Sequence, residues 1–221
     1  MGRPSLAVQR RDQILDAVTF CVGQFGVEGT TLERVSEASG LSRGHVRHYV
    51  GNREDMLDQF QARLMARYVT RMREVCDGAP AGSRGVELVR FLFGKEWAPG
   101  ADSAAIDALM WAAARDERIR DGLRASYLAM ERVLTRALRS DFPQASPARC
   151  AAVAYALICL AFAHSTLMEL SFPASRQRAA ESVTAGLLAG LRDSVPGDPV
   201  PGEPASGGFV PEEPWHAVRG T

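Results

Sequence analysis

The sequence contains almost no lysine and no excess of charge of either sign. Lys95 is the only lysine among 26 basic residues, and 26 acidic residues bring the formal net charge to zero. Overall basicity therefore does not attract nucleic acid, and any such surface must come from a local arrangement of arginines. β-Branched residues are few beside Ala, Leu, Arg and Glu, and this composition favours helices. No strand-like alternation occurs either, so we predict an all-α fold.

The four cysteines are too far apart for a redox or zinc motif, and none belongs to a CxxC pair. They are Cys21, Cys76, Cys150 and Cys159, and most of them stand among apolar neighbours. No apolar signal region precedes them, because Asp12 and Asp16 interrupt the segment after the first arginines. We therefore expect free, buried thiols in a reducing cytoplasm.

Motifs of catalytic and cofactor sites are also missing. The sequence has no glycine-rich phosphate loop, no HExxH, no GxSxG and no paired metal-ligand spacing. Carboxylates do occur in the segment RDERIRD, over residues 115–121, but their helical spacing beside arginines is typical of surface ion pairs. We expect neither an enzyme nor a bound cofactor or metal.

One segment is long and apolar enough to cross a membrane. Residues 150–168 contain no Asp, Glu, Lys or Arg, and about 20 apolar residues span a bilayer. The segment is rich in alanine, however, and it includes Tyr155 and His164. Small side chains allow helices to approach closely, so we predict a helix buried in a core or between two subunits. A membrane span is the alternative.

Glycines and capping residues mark the first two predicted helices. Apolar residues at helical spacing run over residues 14–25, and Gly26 is a natural stop for this first helix. Thr30, with Glu33 three residues later, has the pattern of a capping box that begins the second helix. Gly40 ends that short helix.

Two further capping residues and a series of Pro- and Gly-rich breaks mark the remaining helices. Ser42 is placed to cap a third helix that Gly51 ends, and Asn52 is placed to cap a fourth. The tail over residues 196–221 is dense in Pro, Gly and acidic residues, so we expect it to be disordered. In between we predict five more helices near residues 84–97, 102–115, 117–140, 147–171 and 175–194.

Two short helices joined by the sequence ASGLS form a predicted helix–turn–helix, whose second helix enters the major groove of DNA. Gly40 adopts the left-handed conformation that the sharp reversal needs. When Val46, Tyr49 and Val50 face the core, residues 41–50 (LSRGHVRHYV) present an acid-free outer face. Arginine suits guanine and phosphate, and glycine allows close backbone approach. The outer face consists of Arg43, Gly44, His45, Arg47 and His48.

Further side chains are placed to contact the DNA backbone. Thr31 and Ser42 lie at predicted helix starts, and Arg53 begins the fourth helix, where phosphates bind readily. Basic residues of an N-terminal arm over residues 1–9 and of the first helix would extend this contact; they are Arg3, Arg10 and Arg11. The alternative is an ordinary helical hairpin with a solvated basic face.

These residues as a set resemble the DNA-binding domain of the TetR family of transcriptional regulators. The matching features are Thr30 and Thr31, the SGLS turn at residues 39–42, Gly44, and the helix start NREDML at residues 52–57. The opening segment RRDQILDAVTFCVGQFGVEGTT is similar to the family's first helix. The resemblance implies that operator DNA is contacted by Arg43, Gly44, His45, Arg47, His48 and Tyr49.

Three positions depart from the family pattern. An aromatic residue is usual at Arg47, Phe is usual at Val50, and Lys is usual at Arg53. Arg53 keeps the charge, whereas the smaller Val50 is expected to loosen the packing of the third helix. Arg47 replaces an aromatic contact by a cation, which affects the expected operator sequence more than DNA binding itself.

The second half is similar to the C-terminal domain of the branch that includes choline-responsive repressors. The resemblance implies an unknown small-molecule effector and a homodimer formed through the helices near 147–171 and 175–194. A quaternary amine would need an aromatic cage, in which Trp97 and Trp111 would supply two walls. Core packing is the alternative for each candidate effector residue. These candidates are Phe91, Phe93, Trp97, Met110, Trp111, Tyr127, Tyr155, Phe162 and His164.

The sequence therefore predicts a cytoplasmic repressor without a membrane span, in four parts. They are a basic arm over residues 1–9, a helix–turn–helix head over 10–55, a larger antiparallel helical domain for effector binding and dimerisation over 56–195, and the tail over 196–221. The dimer would bind a palindromic operator through residues 41–50, and the fourth helix, which touches both halves, would transmit effector binding. The alternative is a helical dimeric adaptor that has lost specific DNA binding.

Overall fold

A computed structural model describes residues 6–94, 97, 101–168 and 170–194 of the protein. Helices are the only regular secondary structure in this part of the chain, which confirms the predicted all-α class. They are α1 (Leu6–Gly29), α2 (Leu32–Ser39), α3 (Arg43–Val50), α4 (Arg53–Gly78), α5 (Arg84–Leu92), α6 (Ala101–Ala113), α7 (Glu117–Asp141), α8 (Pro147–Met168) and α9 (Ala174–Arg192). The tail over residues 196–221 and Arg3 lie outside the described residues.

Helix ends differ from the predicted ones by a few residues, and two differences affect candidate sites. α1 begins at Leu6, so residues 6–9 of the expected basic arm are helical. α5 ends at Leu92, before its predicted end, because the chain turns through Phe93 and Gly94. Trp97 therefore lies outside α5.

Helices α1, α2 and α3 form a head around a common apolar core. Ile14 and Val18 of α1, Val35 of α2 and Val46 of α3 are all fully buried in it. The predicted stop of the first helix is present as a break at Gly26, whose φ of 70° is left-handed. Glycine reaches this conformation at no steric cost, so the chain turns here towards α2.

Each short helix of the head is closed by hydrogen bonds from its flanking residues. Thr31 and Ser42 cap α2 and α3, since each side chain accepts from a backbone N–H in the first turn. α2 begins one residue later than predicted, because the Thr30 hydroxyl instead donates to the Gly26 carbonyl at 2.8 Å. Gly40 ends α2 in the predicted left-handed conformation, with φ 68°. Such caps each stabilise a helix by about 1 kcal/mol.

Helix α4 leaves the head and packs along α7. Asn52 and Asp55 form a capping box at its start, as the sequence of the helix start favours. Near the head the two helices approach closely, and a Cβ added at Gly122 would lie 2.5 Å from Gln61 Nε2. The buried Gln61 amide donates to the Ile119 carbonyl at 2.9 Å. The close approach and the buried hydrogen bond together fix α4 on α7 at this height.

A second connection between the head and the rest of the chain joins α1 to α6, which pack side by side. Arg63 of α4 lies 2.8 Å from Asp16 of α1. Arg67, one turn further along α4, contacts Asp102 of α6 through both carboxylate oxygens, at 2.5 and 2.6 Å. Three helices are thereby linked by ion pairs. The head is therefore connected to the rest of the chain through α6 as well as through α4, the helix expected to transmit effector binding.

Helices α8 and α9 leave a large apolar surface exposed. Within the described residues, α8 is the one helix long and apolar enough to cross a bilayer, and 33% of its most apolar window is buried. A groove of about 480 Å³ opens between α8 and α9. One copy of the chain thus buries this helix only in part. The exposed apolar residues here are Tyr155, Leu160, Leu167, Leu170, Phe172 and Val183.

The four cysteines are free thiols, but the expectation that they are buried holds for only some of them. Cys21 and Cys150 are buried, and Cys76 is half-buried. Cys159 is exposed, because it lies on the side of α8 that faces away from the core.

Candidate nucleic-acid interface and sensor core

Helix α3 has an apolar side packed on the head and a cationic side that faces solvent. Val46 and Val50 are no more than 1% exposed, and they fix the rotation of the helix about its axis. α3 contains no acidic residue, so its outer side carries positive charge alone. The outer face is the predicted one, because Arg43, Gly44, His45, Arg47 and His48 are all exposed.

The C-terminal end of α3 is tightly held. The Gln59 amide donates to the Val50 carbonyl at 2.8 Å, and the Arg11 guanidinium donates to the Tyr49 carbonyl at 3.3 Å. Val50 is 1% exposed, so this smaller residue still occupies a core position. Tyr49 is half-buried at the edge of the face, with its ring centroid 5.0 Å from that of His48.

An acidic side chain of the neighbouring helix α2 lies beside the cationic face. Glu33 of α2 forms an ion pair with Arg43 at 2.8 Å, and both side chains are more than half exposed. The pKa of Glu33 is lowered, first by its own backbone N–H and further by Arg43. Solvent screens an exposed pair of this kind, so Glu33 holds the Arg43 guanidinium only weakly.

The two cap hydroxyls lie at the N-termini of α2 and α3. The Thr31 and Ser42 side chains each accept a backbone N–H at 3.3 Å. Ser42 is exposed and Thr31 is half-buried. The unpaired N–H groups of a helix N-terminus and its dipole favour an anion there.

Arg53 faces the protein, which corrects its expected role as a phosphate clamp. Its Nε donates to the Thr30 carbonyl at 2.9 Å, and its Nη2 donates to the carbonyls of Val27 and Glu28 at 2.6 and 3.4 Å. These carbonyls lie at the end of α1, where a cation is favourable. Arg53 therefore joins the start of α4 to the end of α1.

The arginines of α1 are also engaged with the head. Arg10 donates to the Gln13 side chain at 2.8 Å, and Arg11 makes the contact with Tyr49 described above. Neither residue belongs to an extended arm, because both lie on α1. Phe25 is exposed and does not belong to the core. The Arg34 guanidinium of α2 lies over its ring, 4.5 Å from the ring centroid.

The predicted effector residues divide into a buried aromatic cluster and a set that lies elsewhere. Trp97 is 1% exposed, and its ring centroid lies 5.7 Å from Phe91 and 5.4 Å from Phe162. Tyr127 joins this cluster at 4.7 Å from Phe162. Tyr68 of α4, which the sequence argument missed, completes it at 5.0 Å from Trp97.

Five predicted effector residues lie outside this cluster. Trp111 is 72% exposed with Arg115 over its ring, and Tyr155 is 63% exposed on α8. His164 lines the groove between α8 and α9, and Met110, half exposed, meets the Tyr127 hydroxyl through sulfur at 3.7 Å. The predicted cage of Trp97 and Trp111 is wrong, because one ring is in the core and the other faces solvent. Phe93 lies beside His164, with ring centroids 5.7 Å apart.

The aromatic cluster contains two buried polar atoms without a partner. Within the described residues, neither the Tyr68 hydroxyl nor the Trp97 Nε1–H forms a hydrogen bond. A buried group left unpaired costs about 1–3 kcal/mol. Burial raises the pKa of Tyr68, and the nearby Asp102 carboxylate raises it further, so the phenol is neutral. Two hydrogen-bond donors thus stand inside an otherwise apolar cluster.

Solved structures share this arrangement of helices over most of the chain. A transcriptional regulator of the TetR family from Cytophaga hutchinsonii aligns with a TM-score of 0.70 and 13% identity, covering 87% of this chain and 100% of that one. A transcriptional regulator from Pseudomonas aeruginosa aligns with a TM-score of 0.69 and 21% identity, covering 84% of this chain and 93% of that one. At these identities the structures show a shared fold.

Curated proteins are similar in sequence as well. The HTH-type transcriptional regulator BetI of Burkholderia mallei is 26% identical over 200 residues, which cover 86% of this chain and 85% of that protein. The HTH-type transcriptional repressor AcnR of Corynebacterium efficiens is 39% identical over 49 residues, which cover 22% of this chain and 26% of that protein. The chain is a TetR-family regulator. No family model matches it.

Membership of the TetR family places the chain among DNA-binding regulators of transcription and not among enzymes. Within the described residues, α3 presents an acid-free cationic face on the outside of the head. The described residues contain no group of three or more His, Cys, Asp and Glu side chains that would hold a metal ion.

Proposed function

We propose that this TetR-family protein is a cytoplasmic homodimeric repressor that binds a palindromic operator through residues 41–50 and is released by a small-molecule effector. The observation that carries the proposal is the outer face of α3. Two buried valines and a side-chain cap hold that face rigidly, and it presents cations without an acid of its own. A preorganised cationic helix of this kind fits the major groove of B-DNA.

The proposed DNA contacts follow from where each side chain of the face lies. Arg43, Arg47 and the two histidines reach base edges or phosphates, with Arg43 leaving Glu33 for the DNA. Gly44 brings the α3 backbone close to the duplex, since a Cβ there would meet only Ser42 Oγ, at 4.0 Å. The capped helix starts at Thr31 and Ser42 face phosphates, and Tyr49 contacts the groove edge.

We infer the dimer from the apolar surface of α8 and α9. Exposed leucine, phenylalanine and valine side chains on these helices form a patch that a soluble protein rarely leaves open to water. The occupant we propose is the same surface of a second copy, related by a two-fold axis. A two-fold dimer matches a palindromic operator, because two α3 helices then meet two half-sites.

We place the effector at the aromatic cluster of Tyr68, Phe91, Trp97, Tyr127 and Phe162. The unpaired Tyr68 hydroxyl and Trp97 N–H favour a molecule that combines an oxygen acceptor with an apolar body. Tyr68 lies one residue after Arg67, whose ion pair with Asp102 reaches α6. An effector that shifts Tyr68 therefore acts on the helices that carry the head.

The experiment is footprinting of the purified protein on DNA that flanks its own gene, followed by affinity measurements between about 50 and 200 mM salt. We expect two protected half-sites about one helical turn, or a multiple of it, apart. We also expect log affinity to fall linearly with log salt. A dimer that forms no sequence-specific complex at any salt concentration would instead support the helical adaptor.

A further inference from the structure

A second concave site lies at the end of α4 that is remote from the head. It is a groove of about 350 Å³ between the last turns of α4, the start of α5 and the second half of α7. Arg53 and Arg73 are 20 residues apart on α4, or about 30 Å along the helix. The groove is therefore separate from α3. The charged and reactive side chains that line it are Arg73, Arg84, Arg132, Arg136, Asp77 and Cys76.

Within the part of the chain that the structure describes, the four arginines of this groove form no ion pair, unlike several other arginines. Across the described residues, no carboxylate oxygen lies within 4 Å of any of the four guanidinium groups, although Arg63, Arg67, Arg118 and others are paired. Four guanidinium groups face one lining carboxylate, Asp77, which leaves an excess of three positive charges.

Two exposed arginines on α7 repel each other, and a bound anion would relieve that repulsion. Arg132 and Arg136 are four residues apart, so they lie on the same side of the helix, where like charges destabilise it. The other groups do not offset them. Burial raises the pKa of the Cys76 thiol, with Asp77 raising it further, so the thiol stays neutral. The Asp141 carboxylate is occupied by the backbone N–H groups at the start of α5, at 2.7 to 3.4 Å.

We propose that this groove binds a small polyanion that carries phosphate or carboxylate groups. Guanidinium groups bind such groups through two parallel hydrogen bonds, and arginines from three helices surround the space. The volume suits a small metabolite. Val133 and Ala129, both half-buried on α7, give the floor an apolar part. The site is distinct from the aromatic cluster and does not depend on the proposed DNA contacts.

Titration calorimetry of the full-length protein with inorganic pyrophosphate and with citrate, at constant ionic strength, tests the proposal. The variant Arg132→Gln/Arg136→Gln is expected to weaken binding of the tighter anion by about tenfold or more, since each charge-assisted hydrogen bond contributes appreciably. The matched control is Arg124→Gln, also on α7, whose guanidinium pairs with Asp121 at 3.0 Å. It is expected to bind as the wild type does.

Alkylation of cysteines gives the location independently of affinity. Cys76 lines the groove, so bound anion should slow its alkylation in the wild type and in Arg124→Gln, and should not do so in Arg132→Gln/Arg136→Gln. The proposal is overturned if neither anion binds, if Arg124→Gln weakens binding equally, or if Cys76 is not protected. Protection of Cys76 by an unrelated DNA duplex, without any effect of the small anions, would mark an accessory nucleic-acid surface and would also overturn it.

Discussion

The head and the α8–α9 surface differ in how far their apolar side chains are buried. In the head, valines and an isoleucine of α1, α2 and α3 are fully buried, and what remains outside on α3 is cationic. On α8 and α9, leucine, phenylalanine and valine face outward beside a groove. A single copy thus completes the core of the head but leaves its C-terminal helices uncovered. The two surfaces call for chemically different partners, a polyanion for one and an apolar surface for the other.

The substitution Leu167→Glu is expected to have the largest effect. A charge at Leu167, which is exposed and lines the groove between α8 and α9, should prevent dimerisation, which analytical ultracentrifugation would show as a monomer. Operator affinity should then fall by about 100-fold or more, because two linked half-site contacts become one. The control is Leu128→Glu, an exposed leucine on α7. A Leu167→Glu protein that remains dimeric would contradict the proposed seam.

The substitution Arg47→Ala addresses the other side of the comparison. It should weaken operator binding by about 1–3 kcal/mol and relax the preference at one base pair, while the dimer stays intact. Fluorescence anisotropy on a set of singly substituted operators would measure both effects. Arg124→Ala, which removes an exposed arginine far from α3 in sequence, serves as the control. Equal weakening on every sequence would make Arg47 a phosphate contact.

The substitution Gly44→Ala separates folding from DNA approach. A methyl group at this position meets nothing closer than 4.0 Å, so it should stabilise α3 by about 0.5–1 kcal/mol. Operator affinity should nevertheless fall, by about 1 kcal/mol, because the methyl group stands between the backbone and the duplex. Gly78→Ala, at the end of α4 with open space around it, is the matched control. Unchanged affinity would show that the α3 backbone does not approach DNA closely.

The substitution Ser42→Ala is expected to have the smallest effect, and it concerns the rigidity of the head. Loss of the α3 cap should lower the free energy of unfolding by about 1 kcal/mol in urea titrations. Ser42→Asn keeps an N-cap acceptor and should restore that stability without adding charge. If Ser42→Ala is as stable as the wild type, the cap does not support the recognition helix.

The head could be predicted from sequence because its signals are local. Gly26, Gly40, Ser42 and Asn52 act on residues within one turn of themselves, and two of the inward positions of α3 follow from helical spacing. The outer face of α3 follows from the same spacing. The predicted cap at Thr30 is wrong, because the Thr30 hydroxyl donates to the Gly26 carbonyl of the preceding helix.

The remaining site residues depend on contacts between distant parts of the chain. Arg53 finds its carbonyl partners 23 to 26 residues away, and no local pattern indicates that. Trp97 and Trp111 are the same residue type, yet Trp97 is buried and Trp111 is exposed. Helix α6 is apolar on most sides, so its sequence does not specify which side faces the core.

The hydrogen bond from Gln61 to the Ile119 carbonyl fixes α4 on α7 at a point between the two ends of α4. Arg53 lies about 12 Å from Gln61 along the axis in one direction, and Arg73 lies about 18 Å from it in the other. The close contact between Gln61 and Gly122 thus lies between the two ends of α4. If α4 pivoted at this contact as a rigid helix, a movement of its groove end towards α7 by about 1 Å would shift the end joined to α1 the opposite way by about two-thirds of that distance. Replacing Gly122 by a larger residue would push Gln61, and α4 with it, away from α7 at this contact.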